Sequence, residues 1–167
     1  MKIRIAGLVK ESITDGRGIR YTIFTQGCPH GCKGCHNPDS HDPCGGYIAD
    51  TDDMLREIKA DPLLKGVTFS GGEPFIQPVP LTELARKVHG IGKDVTVYSG
   101  WTYEELCTMN SPEVQALLDE SDVLVDGRYD EALRNLELSF RGSENQRLID
   151  LNATRENGRI SFLIHNS

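Results

Sequence analysis

The sequence lacks the features expected of a membrane, secreted or nucleic-acid-binding protein. No apolar run approaches the ~20 residues that span a bilayer. The N-terminal stretch Met1–Ala6 turns polar too soon to hold the apolar core of a signal peptide. The net charge is −7, whereas nucleic-acid binders normally carry a basic face. A cytoplasmic location, with no nucleic acid or membrane as partner, is therefore expected by elimination.

The sequence also lacks internal repeats, low-complexity tracts and any Pro/Ser-rich linker that would divide its 167 residues. Hydrophobic residues make up 38% and charged residues 26%, which is ordinary for a globular protein. A chain of this size can bury a core without a metal to hold it together. We therefore expect a single domain spanning residues 1–167.

Short β-rich runs alternate with amphipathic helical patterns along the chain. Alternation of this kind predicts βαβ units and a mainly parallel sheet. The length allows about five or six βα units, whereas a closed eight-stranded barrel usually needs about 250 residues. The expected fold is α/β, as an open sheet or, our preferred interpretation, an incomplete TIM-type barrel, with ligands at the carboxyl ends of the strands. The predicted strands are Tyr21–Gln26, Val67–Ser70, Val95–Ser99 and Val123–Asp126, and the predicted helices are Asp52–Ala60, Pro80–Ile91 and Pro112–Asp119.

Three of the five cysteines, Cys28, Cys32 and Cys35, lie within eight residues directly after the first of these strands. Without a secretory signal, this grouping favours metal or redox chemistry over disulfides. Iron–sulfur clusters are normally held by four cysteine thiolates, so three ligands would leave one iron open to substrate. Cys44 could complete a four-cysteine zinc site, although it has no close partner cysteine. The spacing favours a cluster but leaves zinc and free buried thiols open.

The Cys-x₃-Cys-x₂-Cys pattern resembles the signature of the radical S-adenosylmethionine superfamily. The resemblance implies a [4Fe–4S] cluster on Cys28, Cys32 and Cys35, with S-adenosylmethionine as the second cofactor. The superfamily often has an aromatic residue just before the third cysteine, where this chain has Gly34. His36, just after that cysteine, is our candidate for packing against the adenine.

A second motif, Gly71-Gly72-Glu73-Pro74, follows the strand Val67–Ser70. On its own it would be an ordinary strand-to-helix turn. It resembles the superfamily motif that holds the methionyl amino group. Under that resemblance, Gly71 and Gly72 let the backbone approach the ligand, and the Glu73 carboxylate lies near the ammonium.

Two polar residues that end strands are further candidates for cofactor binding. Asp126 ends an apolar run and could orient a ligand or bind a cation, although an acid there is more often a cap or turn former. Ser99 precedes a glycine and is equally consistent with a turn. His89 is expected to be a favourable charge at a helix end, and His30 and His41 are expected on the surface. No catalytic side chain can be assigned.

Further stretches narrow the resemblance to one branch of the superfamily. Thr14–Arg20 resembles the entry segment of glycyl-radical activating enzymes. The resemblance to activating proteins of anaerobic ribonucleotide reductase is carried by Tyr98–Leu106, Asp122–Arg128 and Phe140–Arg147. It implies that the chain generates a glycyl radical on the large subunit of that reductase. The electron would come from a low-potential donor such as flavodoxin or ferredoxin.

Several alternatives remain open at the level of sequence. The chain could activate another glycyl-radical enzyme, such as pyruvate formate-lyase, or act on a small molecule. It could also be a zinc-stabilised, non-enzymatic interaction module. The segment Arg141–Arg147 could be a plain polar turn or could donate hydrogen bonds to a partner's backbone. Cys44 and Cys107 receive no role.

Overall fold

The computed structural model describes residues 1–35 and 38–163. Within them, seven strands form one mixed sheet in the order β3-β1-β2-β4-β5-β6-β7. The strands are β1 (Lys2–Ser12), β2 (Ile19–Thr25), β3 (Tyr47–Asp50), β4 (Leu64–Gly71), β5 (Asp94–Tyr98), β6 (Val123–Asp126) and β7 (Arg147–Asp150). The helices are α1 (Thr51–Ala60), α2 (Pro78–Gly90), α3 (Tyr103–Cys107), α4 (Pro112–Asp119) and α5 (Leu151–Asn157).

The centre of the sheet is parallel and its flanks are antiparallel. Strands β2, β4, β5 and β6 run parallel to one another, so their carboxyl ends meet at one edge. These are the four strands that the sequence predicts. Strands β1, β3 and β7 pair antiparallel with their neighbours, which makes the sheet mixed where the sequence predicts a mainly parallel one. They escape the βαβ pattern because, in the described part of the chain, no α-helix lies between β1 and β2, between β2 and β3, or between β6 and β7.

The described sheet is not closed, since β3 and β7 do not pair with each other. The architecture is thus an open, seven-stranded α/β sheet. The incomplete barrel stays a prediction. The expectation that residues 1–167 form a single domain also stays a prediction. Among the described residues, no helix is both long enough and apolar enough to cross a bilayer.

The apolar side of the sheet, which we call the helix face, carries the main core. It consists of alternate residues of the central strands, and helices α1, α2 and α4 supply the other half of the core. The predicted helices are confirmed with small shifts in their ends, and α4 begins where expected. The Ser111 hydroxyl accepts a hydrogen bond from the Val114 N–H, and Pro112 occupies the first turn. The residues of the helix face are Tyr21, Ile23, Val67, Phe69, Val95, Val97 and Leu124.

The opposite side of the sheet is polar. Thr22, Thr68 and Thr96 lie side by side on three neighbouring parallel strands, and all three are buried. We call this side the threonine face. The fully buried Arg20 donates from Nε to the Thr68 hydroxyl at 2.7 Å and pairs with Asp94 at 2.5 Å. A parallel sheet that is covered by helices on both faces is normally apolar on both faces. The threonine face is polar instead, so it can line cavities.

Candidate metal centre

The loop that carries the clustered cysteines begins where β2 ends and folds back on itself. Gly27 has φ 98°, in the left-handed region that favours glycine, and turns the chain away from the strand. The Gly27 N–H donates to the Ser40 carbonyl at 2.6 Å, and the Cys28 N–H donates to the His41 carbonyl at 3.1 Å. These two hydrogen bonds join the start of the cysteine loop to Ser40 and His41, which follow the cysteine pattern, and so close the loop at its base.

Cys28, Cys32 and Cys35 are free and partly buried, whereas Cys44 and Cys107 are free and exposed. Burial raises the pKa values of the Cys28 and Cys32 thiols, and backbone N–H groups of His30 and Tyr129 respectively offset part of this effect. N–H groups directed at sulfur stabilise thiolates and are among the features that tune iron–sulfur sites. The three thiols therefore fit the ligand set of a cluster with one iron left open.

A site for one metal ion is not preformed in this loop. Across residues 1–35 and 38–163, no three Cys, His, Asp or Glu side chains converge on a position for a single ion. The zinc alternative therefore has no ready-made site among the described residues. An iron–sulfur cluster is larger than one ion and holds its thiolates farther apart.

A cavity of about 340 Å³ lies beside Cys35 at the carboxyl ends of the parallel strands. Phe24, Ser70 and Tyr98, near the ends of β2, β4 and β5, form its floor. Open α/β sheets bind ligands at this edge. The remaining walls come from Thr14 and Asp15 and from the segment 129–146, which we call the wall segment.

The two glycines of the second motif bring backbone against backbone. Gly71 has φ 85°, and a Cβ added at Gly72 would lie 2.3 Å from the Gly27 carbonyl oxygen. The Gly72 N–H donates to the Thr25 carbonyl and the Glu73 N–H to the Gly27 carbonyl, each at 2.8 Å. The motif is therefore fastened to the start of the cysteine loop. Contact between these glycines and a ligand stays a prediction.

The Glu73 carboxylate is fully buried and lies among hydrogen-bond donors of the protein itself. Its Oε1 accepts from His30 Nε2 at 2.7 Å, the Ser99 hydroxyl at 2.9 Å and the Gly100 N–H at 2.8 Å. Its Oε2 accepts from the Phe75 N–H at 3.0 Å. Glu73 and Ser99, two separate candidates for cofactor binding, bind each other in the described structure, and contact of either with a cofactor stays a prediction. We call this group, with His30, the Glu73 cluster.

His30 is the site residue that the sequence analysis missed, because it was expected on the surface. Its side chain is only 4% exposed. Besides its bond to Glu73, its ring stands edge-on to Trp101, with ring centres 4.7 Å apart. The expectation is wrong because a polar, glycine-rich loop normally lies on the surface, whereas the partners of His30 cover its ring. These partners are Trp101, about seventy residues downstream, and Glu73 of the second motif. No local pattern around His30 reveals them.

Asp126 is fully buried and anchors the end of β6. It accepts from the Tyr103 N–H at 2.7 Å and from Arg147 Nε at 2.9 Å. Pairing with Asp126 and with Glu104 raises the pKa of Arg147 above its ordinary value. Asp126 does not line the cavity beside Cys35. His36, the candidate for the adenine, lies outside the described residues.

His89 lies in the last turn of α2, as expected, and is paired there. Its Nε2 is 2.7 Å from an oxygen of Asp122, which also accepts from the Val95 N–H at 2.8 Å. Burial raises the pKa of Asp122, but hydrogen bonds from Asn152, His89 and Val95 outweigh it and hold that pKa below its ordinary value. This cluster lies at the amino ends of β5 and β6, away from the cysteine loop.

The polar residues 141–146 mostly form hydrogen bonds within the wall segment and with the two residues that precede it. Asn145 donates to the Arg128 carbonyl at 2.8 Å, and Gln146 donates to the Gly127 carbonyl at 3.0 Å. The Gln146 side-chain oxygen accepts from the Gly142 N–H at 2.8 Å. The amide side chains that could have met a partner's backbone are therefore engaged within the chain.

Comparison with known proteins identifies the family. The family described as a 4Fe-4S single cluster domain matches residues 14–149. The anaerobic ribonucleoside-triphosphate reductase-activating protein of Vibrio cholerae is 34% identical over 143 residues, which cover 80% of this chain and 89% of that protein. The protein of the same name from Escherichia coli K12 is 33% identical, with 80% and 90% covered, and that of phage T4 is 29% identical, with 80% and 85% covered. The chain belongs to the 4Fe-4S single cluster domain family and, within it, to the anaerobic ribonucleoside-triphosphate reductase-activating proteins.

Proposed function

We propose that this chain is a radical S-adenosylmethionine enzyme that generates a glycyl radical on the large subunit of anaerobic ribonucleotide reductase. One observation carries the proposal: three free, partly buried cysteines share a loop beside a cavity at the carboxyl edge of the parallel strands. The names of its relatives support the reductase as the protein that is activated.

In this proposal Cys28, Cys32 and Cys35 hold a [4Fe–4S] cluster, and the cavity beside Cys35 receives S-adenosylmethionine. When bound, the cluster would supply the single electron that cleaves the sulfonium C–S bond to methionine and a 5′-deoxyadenosyl radical, which would take a hydrogen atom from a glycine of the reductase to leave 5′-deoxyadenosine and the glycyl radical. The chain itself holds the thiolates, orients the ligand and excludes water.

The surroundings of the loop suit this task. The Glu73 cluster fixes the cysteine loop to the ends of β4 and β5, so that thiols and cavity keep a constant relation. The wall segment covers the other side of the cavity. We further propose that the electron comes from flavodoxin or ferredoxin and that the reaction takes place in the cytoplasm.

The cluster is tested by anaerobic reconstitution with iron and sulfide, followed by iron and sulfide analysis. Cys28→Ala, Cys32→Ala and Cys35→Ala should each abolish the bound cluster. Cys44→Ala is the matched control, because Cys44 is free but exposed, and it should keep the cluster. Zinc in the wild-type protein, together with loss of metal from the Cys44 variant, would contradict the proposal.

The substrate is tested by electron paramagnetic resonance. The reduced enzyme and S-adenosylmethionine are incubated anaerobically with the reductase, and in parallel with pyruvate formate-lyase, from the same organism. A glycyl-radical doublet on the reductase is the expected result. A doublet on pyruvate formate-lyase alone would mean that the chemistry is right and the substrate wrong.

A further inference from the structure

The wall segment presents one positively charged side chain to the cavity beside Cys35. Among the described residues that line this cavity, Arg141 is the only cation and Asp15 the only carboxylate. The cavity therefore offers opposite charges to a ligand that carries both signs. Cys35 lies in the same cavity as Arg141, so a ligand bound there would lie next to the proposed cluster.

Arg141 is held in place by its own segment. Its Nη1 donates to the Gln146 carbonyl at 3.0 Å, and the Gln146 side-chain oxygen accepts from the Gly142 and Ser143 N–H groups at 2.8 and 3.2 Å. The preceding residue, Phe140, has φ 63°, a conformation that non-glycine residues rarely adopt. Its carbonyl accepts from the Tyr98 hydroxyl at 2.6 Å. Strained backbone that the surroundings enforce is common at ligand-binding sites.

The hydrogen bond to Gln146 leaves one edge of the guanidinium available. Arg141 Nε is buried and has no hydrogen-bond partner in the part of the chain that the structure describes. Nη1 lies on the Cδ side of the group, so the Nε–H and the adjoining Nη2–H point together along the other edge. A buried donor without an acceptor is unfavourable, and this pair of donors matches the two oxygens of a carboxylate.

We infer that Arg141 binds the carboxylate of S-adenosylmethionine through Nε and Nη2. The assignment rests on the proposed use of that cofactor. Fixing the guanidinium before the ligand arrives reduces the conformational entropy lost on binding, so the interaction contributes to affinity. Arg141 thereby selects ligands that carry a carboxylate.

The inference predicts a ligand-specific effect on affinity. Calorimetry under anaerobic conditions, on the reconstituted protein, compares S-adenosylmethionine with its decarboxylated analogue. Arg141→Gln should weaken S-adenosylmethionine binding by at least about tenfold, the loss expected for one charge-assisted hydrogen-bonding pair. Binding of the decarboxylated analogue should be unchanged, because it has no group for the fork to hold. Arg141→Lys, which keeps the charge but not the fork, should show a smaller loss.

Arg134→Gln is the matched control, since Arg134 is an exposed arginine of the same segment that does not line the cavity. It should leave both affinities unchanged. Wild-type affinity for S-adenosylmethionine in Arg141→Gln, or an equal loss for both ligands, would overturn the inference alone. Should the wild-type protein bind no S-adenosylmethionine, both this inference and the proposed cofactor would be overturned. Should Arg141→Gln fail to fold, Arg141→Lys decides: unchanged discrimination between the two ligands would overturn the inference.

Discussion

Replacement of Glu73 by glutamine separates two roles that the sequence cannot tell apart. Under the family resemblance, the carboxylate lies near the ammonium of the ligand. In the structure it is fully buried, accepts four hydrogen bonds and connects the cysteine loop to the ends of β4 and β5. Glu73→Gln keeps the size of the side chain and removes its charge and one acceptor. If the internal role dominates, the variant should lose stability.

The size of the expected loss of stability follows from the hydrogen-bond geometry around Glu73. Three donors converge on Oε1, so the glutamine keeps its oxygen there and places its NH₂ group against the Phe75 N–H. One charge-assisted hydrogen bond is lost, at about 1.5–3 kcal/mol, and a buried N–H is left without an acceptor. We expect a total of about 3 kcal/mol. For a domain of this size that lowers the melting temperature by about 6–12 °C.

The assay is thermal unfolding of the anaerobically purified protein, followed by circular dichroism. Glu156→Gln is the matched control: Glu156 is exposed on α5, and its replacement should leave the melting temperature unchanged. Calorimetry with S-adenosylmethionine is run on the same samples. A Glu73→Gln variant that melts within about 2 °C of wild type but binds the ligand more weakly would refute the internal role. The carboxylate would then be a ligand-binding group.

Three variants test other features of the structure. Gly72→Val should destabilise the fold and reduce iron incorporation, since its Cβ would meet the Gly27 carbonyl oxygen; normal iron content would refute this. Asp126→Asn should weaken the pair with Arg147, which lowers the free energy of unfolding by about 1–3 kcal/mol and with it the melting temperature. Weaker ligand binding at unchanged stability would indicate a cofactor role instead. The pKa of Asp122 is lowered by folding, so its contribution is present above about pH 4 and lost as the pH falls. Asp122→Asn should therefore lose less stability than wild type between about pH 5 and pH 3; an equal loss in denaturant titrations would contradict this.

Local patterns suffice for much of the fold. Three predicted helices and the four parallel strands are observed, because hydrophobic periodicity and a proline in the first turn specify them locally. Strand β1 is the longest strand but is not predicted, because much of it is exposed and its pairing with β2 is irregular between Ile5 and Gly7. His30 is missed for a different reason: its partners Glu73 and Trp101 lie far along the chain.

The candidate residues at the strand ends show that a position at the carboxyl edge of the sheet does not by itself place a side chain in the cavity. Side chains alternate between the two faces of a strand. A residue an even number of positions from a core residue therefore points to the same face as that core residue, and a residue an odd number away points to the opposite face. Ser99 and Asp126 stand an even number of residues after Val97 and Leu124, on the side of the helix face. They accordingly meet Glu73 and the start of α3.

The cavity, in contrast, is lined by residues on the side of the threonine face. Three strands share one pattern, in which an apolar residue, a threonine and a second apolar residue precede a cavity residue: Tyr21-Thr22-Ile23-Phe24, Val67-Thr68-Phe69-Ser70 and Val95-Thr96-Val97-Tyr98. In each, the threonine and the fourth residue point away from the helices. A repeated threonine among β-branched and aromatic residues indicates a buried polar face, and a ligand cavity explains why a parallel sheet would keep one. The pattern therefore locates the floor of the cavity from sequence, and leaves Arg141 on the wall segment to be found from the three-dimensional structure alone.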